Sequence, residues 1–139
     1  MDGPVLEFGA RRALERLGPD IMDDSPDLGS ALCNFRASDQ ARGIGEALLD
    51  QGLVAGIGNM WRAEVLFAAR TSPWHRLSDL SDEELHGVLA EAARLMRAGA
   101  ARLVYRRVGR PCLRCGGQVR SRPQGDAARV AYWCPGCQR

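Results

Sequence analysis

Two cysteine pairs near the C-terminus, "CLRC" (112–115) and "CPGC" (134–137), carry the most definite chemistry in this sequence. Cys112, Cys115, Cys134 and Cys137 follow the spacing C-x2-C-x18-C-x2-C. Gly116 and Gly117 follow the first pair, and Pro135-Gly136 lies inside the second. Two such tight turns can present four thiolates tetrahedrally to one Zn²⁺ at about 2.3 Å. A redox pair and an iron–sulfur site are the alternatives. Four protein ligands leave no open coordination position, so the expected Zn²⁺ is structural. A segment so short and poor in apolar residues should depend on its metal. Chelation is expected to unfold residues from about 104 onward and leave the helices standing. Cys33 lies apart in the apolar stretch "LGSALCNF" and is expected to be a buried structural thiol.

A second stretch, "LLDQGLVAGIGNMW" (48–61), places Gly52, Gly56 and Gly58 in a break between two apolar-periodic segments and restarts on Asn59. It is either a tight helix connection or a site where backbone amides meet a phosphate, since glycine permits close approach and a helix start offers unpaired N–H groups. Between the cysteine pairs, "GGQVRSRPQGDAARVAYW" carries Arg120, Arg122 and Arg129. Arginines on a metal-pinned hairpin suit phosphate or groove contacts; exposed strand residues without a partner are the plainer reading.

Charge sharpens the choice. Residues 1–91 hold 8 Arg against 16 Asp and Glu, net −8, whereas residues 92–139 hold 11 Arg against Asp126 alone, net +10. A basic C-terminal third is the electrostatic footprint of a nucleic-acid partner. The 19 basic residues are all Arg, so Schiff-base chemistry on a lysine is excluded. No apolar run of about 18 residues predicts a membrane span, and "MDGPVLEFGARR" has no signal-peptide pattern, so a cytoplasmic setting with reduced cysteines is expected.

The elements that must position these residues read as mainly α. An entry segment (1–27) includes a short helix over "GARRALERLG". A helical domain (28–103) starts with a helix in "LGSALCNF". Asp39 then caps a helix from Gln40 to about Asp50, with Ile44, Leu48 and Ala41 inward. A helix from Asn59 to about Ala69 turns Trp61, Val65, Leu66 and Ala69 inward. The last helix opens on a Ser81/Glu84 capping box and buries Leu85, Val88, Leu89, Ala92 and Leu95. Residues 104–139 form a small β-hairpin zinc ribbon, with short strands in "RLVYRR", "GQVRSR" and "RVAYWC".

"RLGPDI", "ALLDQGLVAGIGNMWRAEVLF", "GRPC" and "YWCPGCQR" together resemble, in order, the C-terminal half of the formamidopyrimidine-DNA glycosylase / endonuclease VIII family, over about residues 3–139. The resemblance implies a helix–two-turn–helix motif and a zinc finger that bind DNA. It implies that Asn59 contacts a phosphate beside the lesion, and that Arg129, five residues before the third cysteine, is the arginine of the hairpin tip. Gln51, Gly58 and Arg42 are further DNA-binding candidates, each with a structural role as the alternative. Glu64 is implied as structural support.

Family enzymes begin with Pro, whose α-amine attacks the sugar, then Glu, on a separate β-sandwich domain. This chain begins "MDGP", so no catalytic residue is assigned to it and it reads as a family protein cut after its catalytic domain. Family members often carry a longer lesion-contacting segment where "RAGAARLVYRRVGR" stands here. The expected protein is a monomeric DNA-binding portion of a base-excision-repair glycosylase/AP lyase. Its partner is double-stranded DNA, damaged or abasic. The competing readings are an active glycosylase/AP lyase once a catalytic domain is supplied from elsewhere, and a zinc-ribbon module that binds proteins.

Overall fold

A computed structural model describes residues 17–99 and 102–139. The short helix expected over 9–18 falls mostly outside them. Helix α1 (Leu28–Ala37) starts where the Asp27 carboxylate accepts from the Ser30 amide at 2.9 Å and from its hydroxyl at 2.7 Å. Ala31 and Phe35, one turn apart, face the core. Cys33 lies two residues from each, which is the opposite side of the helix. It is exposed, not buried as its apolar surroundings suggested.

The second helix is much shorter than its sequence pattern. Helix α2 spans only Ile44–Leu48. Asp39 accepts from the Ala41 amide at 3.0 Å in a local turn and caps no helix. The backbone of residues 40–45 is claimed by the segment 73–78 instead. The Gln40 and Arg42 carbonyls accept from Ser78 and Leu77 at 3.0 Å each, and the Ile44 and Gly45 amides donate to the His75 and Pro73 carbonyls at 2.7 and 3.0 Å. Ile44 and Leu48 are buried as expected, while Ala41 is exposed.

The glycine-rich break is latched by the entry segment. The Gly18 amide donates to the Gln51 carbonyl at 2.9 Å, the Ala55 amide to the Pro19 carbonyl at 2.9 Å, and the Ile21 amide to the Ala55 carbonyl at 3.0 Å. A Cβ on Gly18 would lie 2.3 Å from the Leu53 carbonyl oxygen, so this approach requires glycine. Helix α3 (Asn59–Ala68) then begins. Val65 and Leu66 are buried, whereas Trp61 and Ala69 are half-buried.

Helix α4 (Asp82–Ala98) has the expected reciprocal capping box between Ser81 and Glu84 and ends on Gly99 at φ 68°. All five residues of its predicted stripe are buried, together with Met96. The main core lies among these helices, with Phe35, Ile44, Leu48, Ile57, Leu66, Leu85 and Leu89 at its centre.

"RLVYRR" forms turns, not a strand. The buried Glu64 carboxylate of α3 accepts from three successive amides, Leu103, Val104 and Tyr105, at 2.8, 3.0 and 2.8 Å, which takes the middle of the segment out of any ladder. Glu64 thereby fixes the join between helices and ribbon. The ribbon's antiparallel hairpin pairs β1 (Arg120–Gln124) with β2 (Arg129–Trp133), in the register Arg120↔Trp133 to Gln124↔Arg129. Its apolar cluster joins Val104, Cys112, Val119, Cys134 and Cys137 to Ala63 and Phe67 of α3. Helix and ribbon thus share a core. Among the described residues no helix is long and apolar enough to cross a membrane.

Candidate nucleic-acid interface and metal centre

The four cysteines come together as the sequence spacing demands. Their sulfurs all lie within 4.8 Å of one another, with Cys112–Cys137 at 3.7 Å and Cys115–Cys134 at 3.5 Å. A tetrahedron with arms of about 2.3 Å has edges of about 3.8 Å, so the cage fits a zinc-sized ion. Backbone amides of Arg114 and Gly117 donate to Cys112 and Cys115 at 3.4 Å each. A Cβ on either Gly117 or Gly136 would sit 3.3 Å from the Cys115 sulfur, so the two glycines keep the thiolates unencumbered. Burial works to raise the Cys112 thiol, but the Cys115 and Arg114 amides and the neighbouring thiols outweigh it and lower it to about 7. That favours the thiolate a metal needs. Four sulfur ligands would leave a bound ion no open coordination position.

The hairpin leans against the glycine-rich turn. The turn itself is braced by Gln51, whose Oε1 accepts from the Gly56 amide at 2.7 Å and whose Nε2 donates to the Ile57 carbonyl at 3.2 Å. Gly56 takes φ 105°, a conformation glycine alone adopts freely. Gly58 differs: it has extended backbone at φ −92°, and a Cβ there would meet nothing within 4 Å. Its Cβ position faces open space, not the protein backbone. Gly58 starts α3 with no side-chain cap, and the first turn of α3 holds no acid. The amides of that turn are therefore free to meet an anion.

Gln51, Gly56, Ile57, Gly58, Leu49 and Arg129 line one cleft of about 360 Å³, in which exposed Arg129 is the one charged residue. Asn59 stands beside it, half-buried, donating through Nδ2 to the Val130 carbonyl at 3.0 Å. The structure thus assembles Gln51, Gly58, Asn59 and Arg129. Arg42 lies in a neighbouring cleft of about 380 Å³ with Glu46, Asp50 and the hairpin turn, which Arg129 also borders. There Arg42 is neutralised by Asp50 at 3.0 Å and Glu46 at 3.8 Å, so it offers an anion little. Arg120 and Arg122 sit apart, in a third cleft with Val108, Gly109 and Trp133. The Arg122 guanidinium lies 4.2 Å over the Trp74 ring.

Sequence reasoning missed Arg62. It sits one turn into α3, fully buried, between the turn and the hairpin. Burial, reinforced by the charge of Arg129, lowers its pKa to about 10, so it stays protonated at neutral pH. The available signal was the pair of charged residues, Arg62 and Glu64, inside the largely apolar run "NMWRAEVLF".

A helical domain built on a glycine-rich double turn, carrying a four-cysteine ribbon, defines a class of DNA-repair proteins. The pattern of the formamidopyrimidine-DNA glycosylase H2TH domain matches residues 17–103. This chain belongs to the formamidopyrimidine-DNA glycosylase / endonuclease VIII family. It is 40 % identical to the probable endonuclease 8 2 of Streptomyces coelicolor, over 97 % of this chain and 55 % of that protein. The MutM (Fpg) protein of Thermus thermophilus superposes with a TM-score of 0.77 at 28 % identity, over 90 % of this chain and 55 % of the other. Lactococcus lactis formamidopyrimidine DNA glycosylase, solved noncovalently bound to DNA containing an AP site, gives a TM-score of 0.77 at 26 % identity, over 94 % and 53 %. The chain spans about half the length of the relatives it matches.

Proposed function

We propose that this chain is the DNA-binding portion of a base-excision-repair DNA glycosylase/AP lyase. It grips duplex DNA through backbone phosphates, using the α3 N-terminus with Gly58 and Asn59 on one side and Arg129 on the other. The observation that carries this reading is the cleft: uncapped helix amides, an open glycine and a lone arginine converge on it with no acid between them. Gln51 supports the turn, Arg42 supports the acidic flank, and Arg120 and Arg122 add a more distant positive field. One structural Zn²⁺, bound by Cys112, Cys115, Cys134 and Cys137, would fix the hairpin that carries Arg129.

The preferred partner is duplex DNA with a damaged or abasic site, in keeping with the AP-site DNA held by the Lactococcus lactis relative. Catalysis is assigned to no residue of this chain. It belongs to a catalytic domain of the kind family enzymes carry, and the joined protein would be an active glycosylase/AP lyase acting as a monomer.

Titration of the zinc-loaded chain onto two fluorescent duplexes, one intact and one with a tetrahydrofuran abasic mimic, tests this. Binding to both is expected, tighter to the abasic duplex and weakening steeply with salt. Failure to bind either duplex would overturn the reading in favour of a protein-binding ribbon.

A further inference from the structure

Arg62 is 0 % exposed, yet every group it touches is neutral. Its Nη1 donates to the Gly45 carbonyl at 3.1 Å and to Gln124 Oε1 at 2.9 Å. Its Nη2 donates to Asn59 Oδ1 at 2.5 Å and to the carbonyls of Val130 and Arg129 at 3.1 and 3.4 Å. Among the described residues it makes no ion pair. A buried cation normally has a carboxylate beside it, because oxygen dipoles alone repay its desolvation poorly. Here that unbalanced charge lies against the Asn59 side chain and the backbone of Arg129, the residue that borders the cleft.

The same contacts fix which way Asn59 points. With Oδ1 against the guanidinium, Nδ2 faces the Val130 carbonyl, and Asn59 as a whole is half-buried. Rotating the amide by half a turn would set donor against donor at Arg62 and acceptor against acceptor at Val130. One Nδ2 proton goes to Val130, and the second has no acceptor among the described residues.

Resting on the phosphate-clamp reading above, we infer that Arg62 is a positioning residue for DNA: it turns the Asn59 oxygen inward so that only the NH₂ end meets a phosphate, and it ties that amide to the hairpin strand that carries Arg129. Arg62 itself is too deep to touch DNA. The glycine turn and the zinc hairpin are thereby one binding unit, joined by Arg62 and by the Asn59 amide that it orients.

A double-mutant cycle on the zinc-loaded chain tests this, with Kd for a fluorescent duplex as the readout and a thermal melt as the check on folding. Arg62→Met and Asn59→Ala should each weaken binding about tenfold. Arg62→Met made on top of Asn59→Ala should add less than about twofold, because both remove one coupled contact. Independent, multiplying effects would overturn the inference, as would wild-type binding by Arg62→Met. Should that variant not fold, the wild-type chain decides by ¹⁵N NMR. One protected Asn59 Nδ2 proton is expected, with the other shifting on addition of duplex; a freely exchanging Asn59 amide would overturn the inference. No duplex binding by the wild-type chain would instead overturn the clamp reading on which the inference rests.

Discussion

Single residues decide whether this surface can meet an anion, and Gly58 shows it most clearly. Its φ of −92° suits any residue and its Cβ position is open, so the fold does not need glycine there. Gly58→Ala should change stability by less than about 1 kcal/mol, since the gain through the unfolded chain is offset by alanine's poorer N-cap. Duplex affinity should fall, because the added methyl would intrude where a phosphate approaches. A melt paired with a binding titration checks both halves, and a folded variant with undiminished affinity would remove Gly58 from the interface. The cysteines and the capping box were legible in the sequence because each is a local pattern with one geometric solution. Arg62 was not, since its acceptors lie up to 68 residues away. The burial expected of Cys33 followed the composition around it; the helix phase set by Ala31 and Phe35 decides otherwise.

Elements held by local signals came out as the sequence implied. Helix α4, with its box, buried stripe and terminal Gly99, is the clearest case. The stretch 40–50 failed as a continuous helix because tertiary bonds to residues 73–78 outweigh helical ones, and no local pattern announces that. "RLVYRR" failed as a strand for a similar reason, with its three central amides, Leu103, Val104 and Tyr105, spent on Glu64. The caps also predict a pH response. Backbone and then side-chain bonds from Ser30 hold the Asp27 carboxyl below its ordinary range, and those from Ser81 do the same for Glu84. A carboxyl depressed in the folded state stabilises the fold above its unfolded pKa of about 4 and loses that contribution as pH falls through the folded value. Urea midpoints should therefore drop on acidification below about pH 4. Asp27→Asn and Glu84→Gln should each shrink that drop, and an unchanged acid profile in both would contradict the assignment.

Across the whole molecule, cysteine cage, hairpin and helices share one packed unit. The cluster of Cys112, Cys134 and Cys137 with Ala63 and Phe67 makes the ribbon's core also the outer face of α3. At the far end, Gln138 donates to the Thr71 carbonyl at 3.0 Å and accepts from the Cys134 amide at 2.8 Å. Chelation should therefore lower the melting temperature of the helical domain as well as unfold the ribbon. Helical circular dichroism with and without chelator measures this, and a helical transition indifferent to zinc would show that the two parts fold separately. The basic C-terminal third was visible in the charge count, but its division into one cleft with Arg129 and another with Arg120 and Arg122 depends on the hairpin's placement.

The central claim is that Arg129 and the glycine turn hold phosphates together. The most direct test is the salt dependence of duplex binding for the zinc-loaded chain and for Arg129→Ala. Removing one charged phosphate contact should reduce the slope of log K against log salt by about 0.9 and weaken binding alike on unrelated sequences. An unchanged slope with unchanged affinity would contradict the clamp.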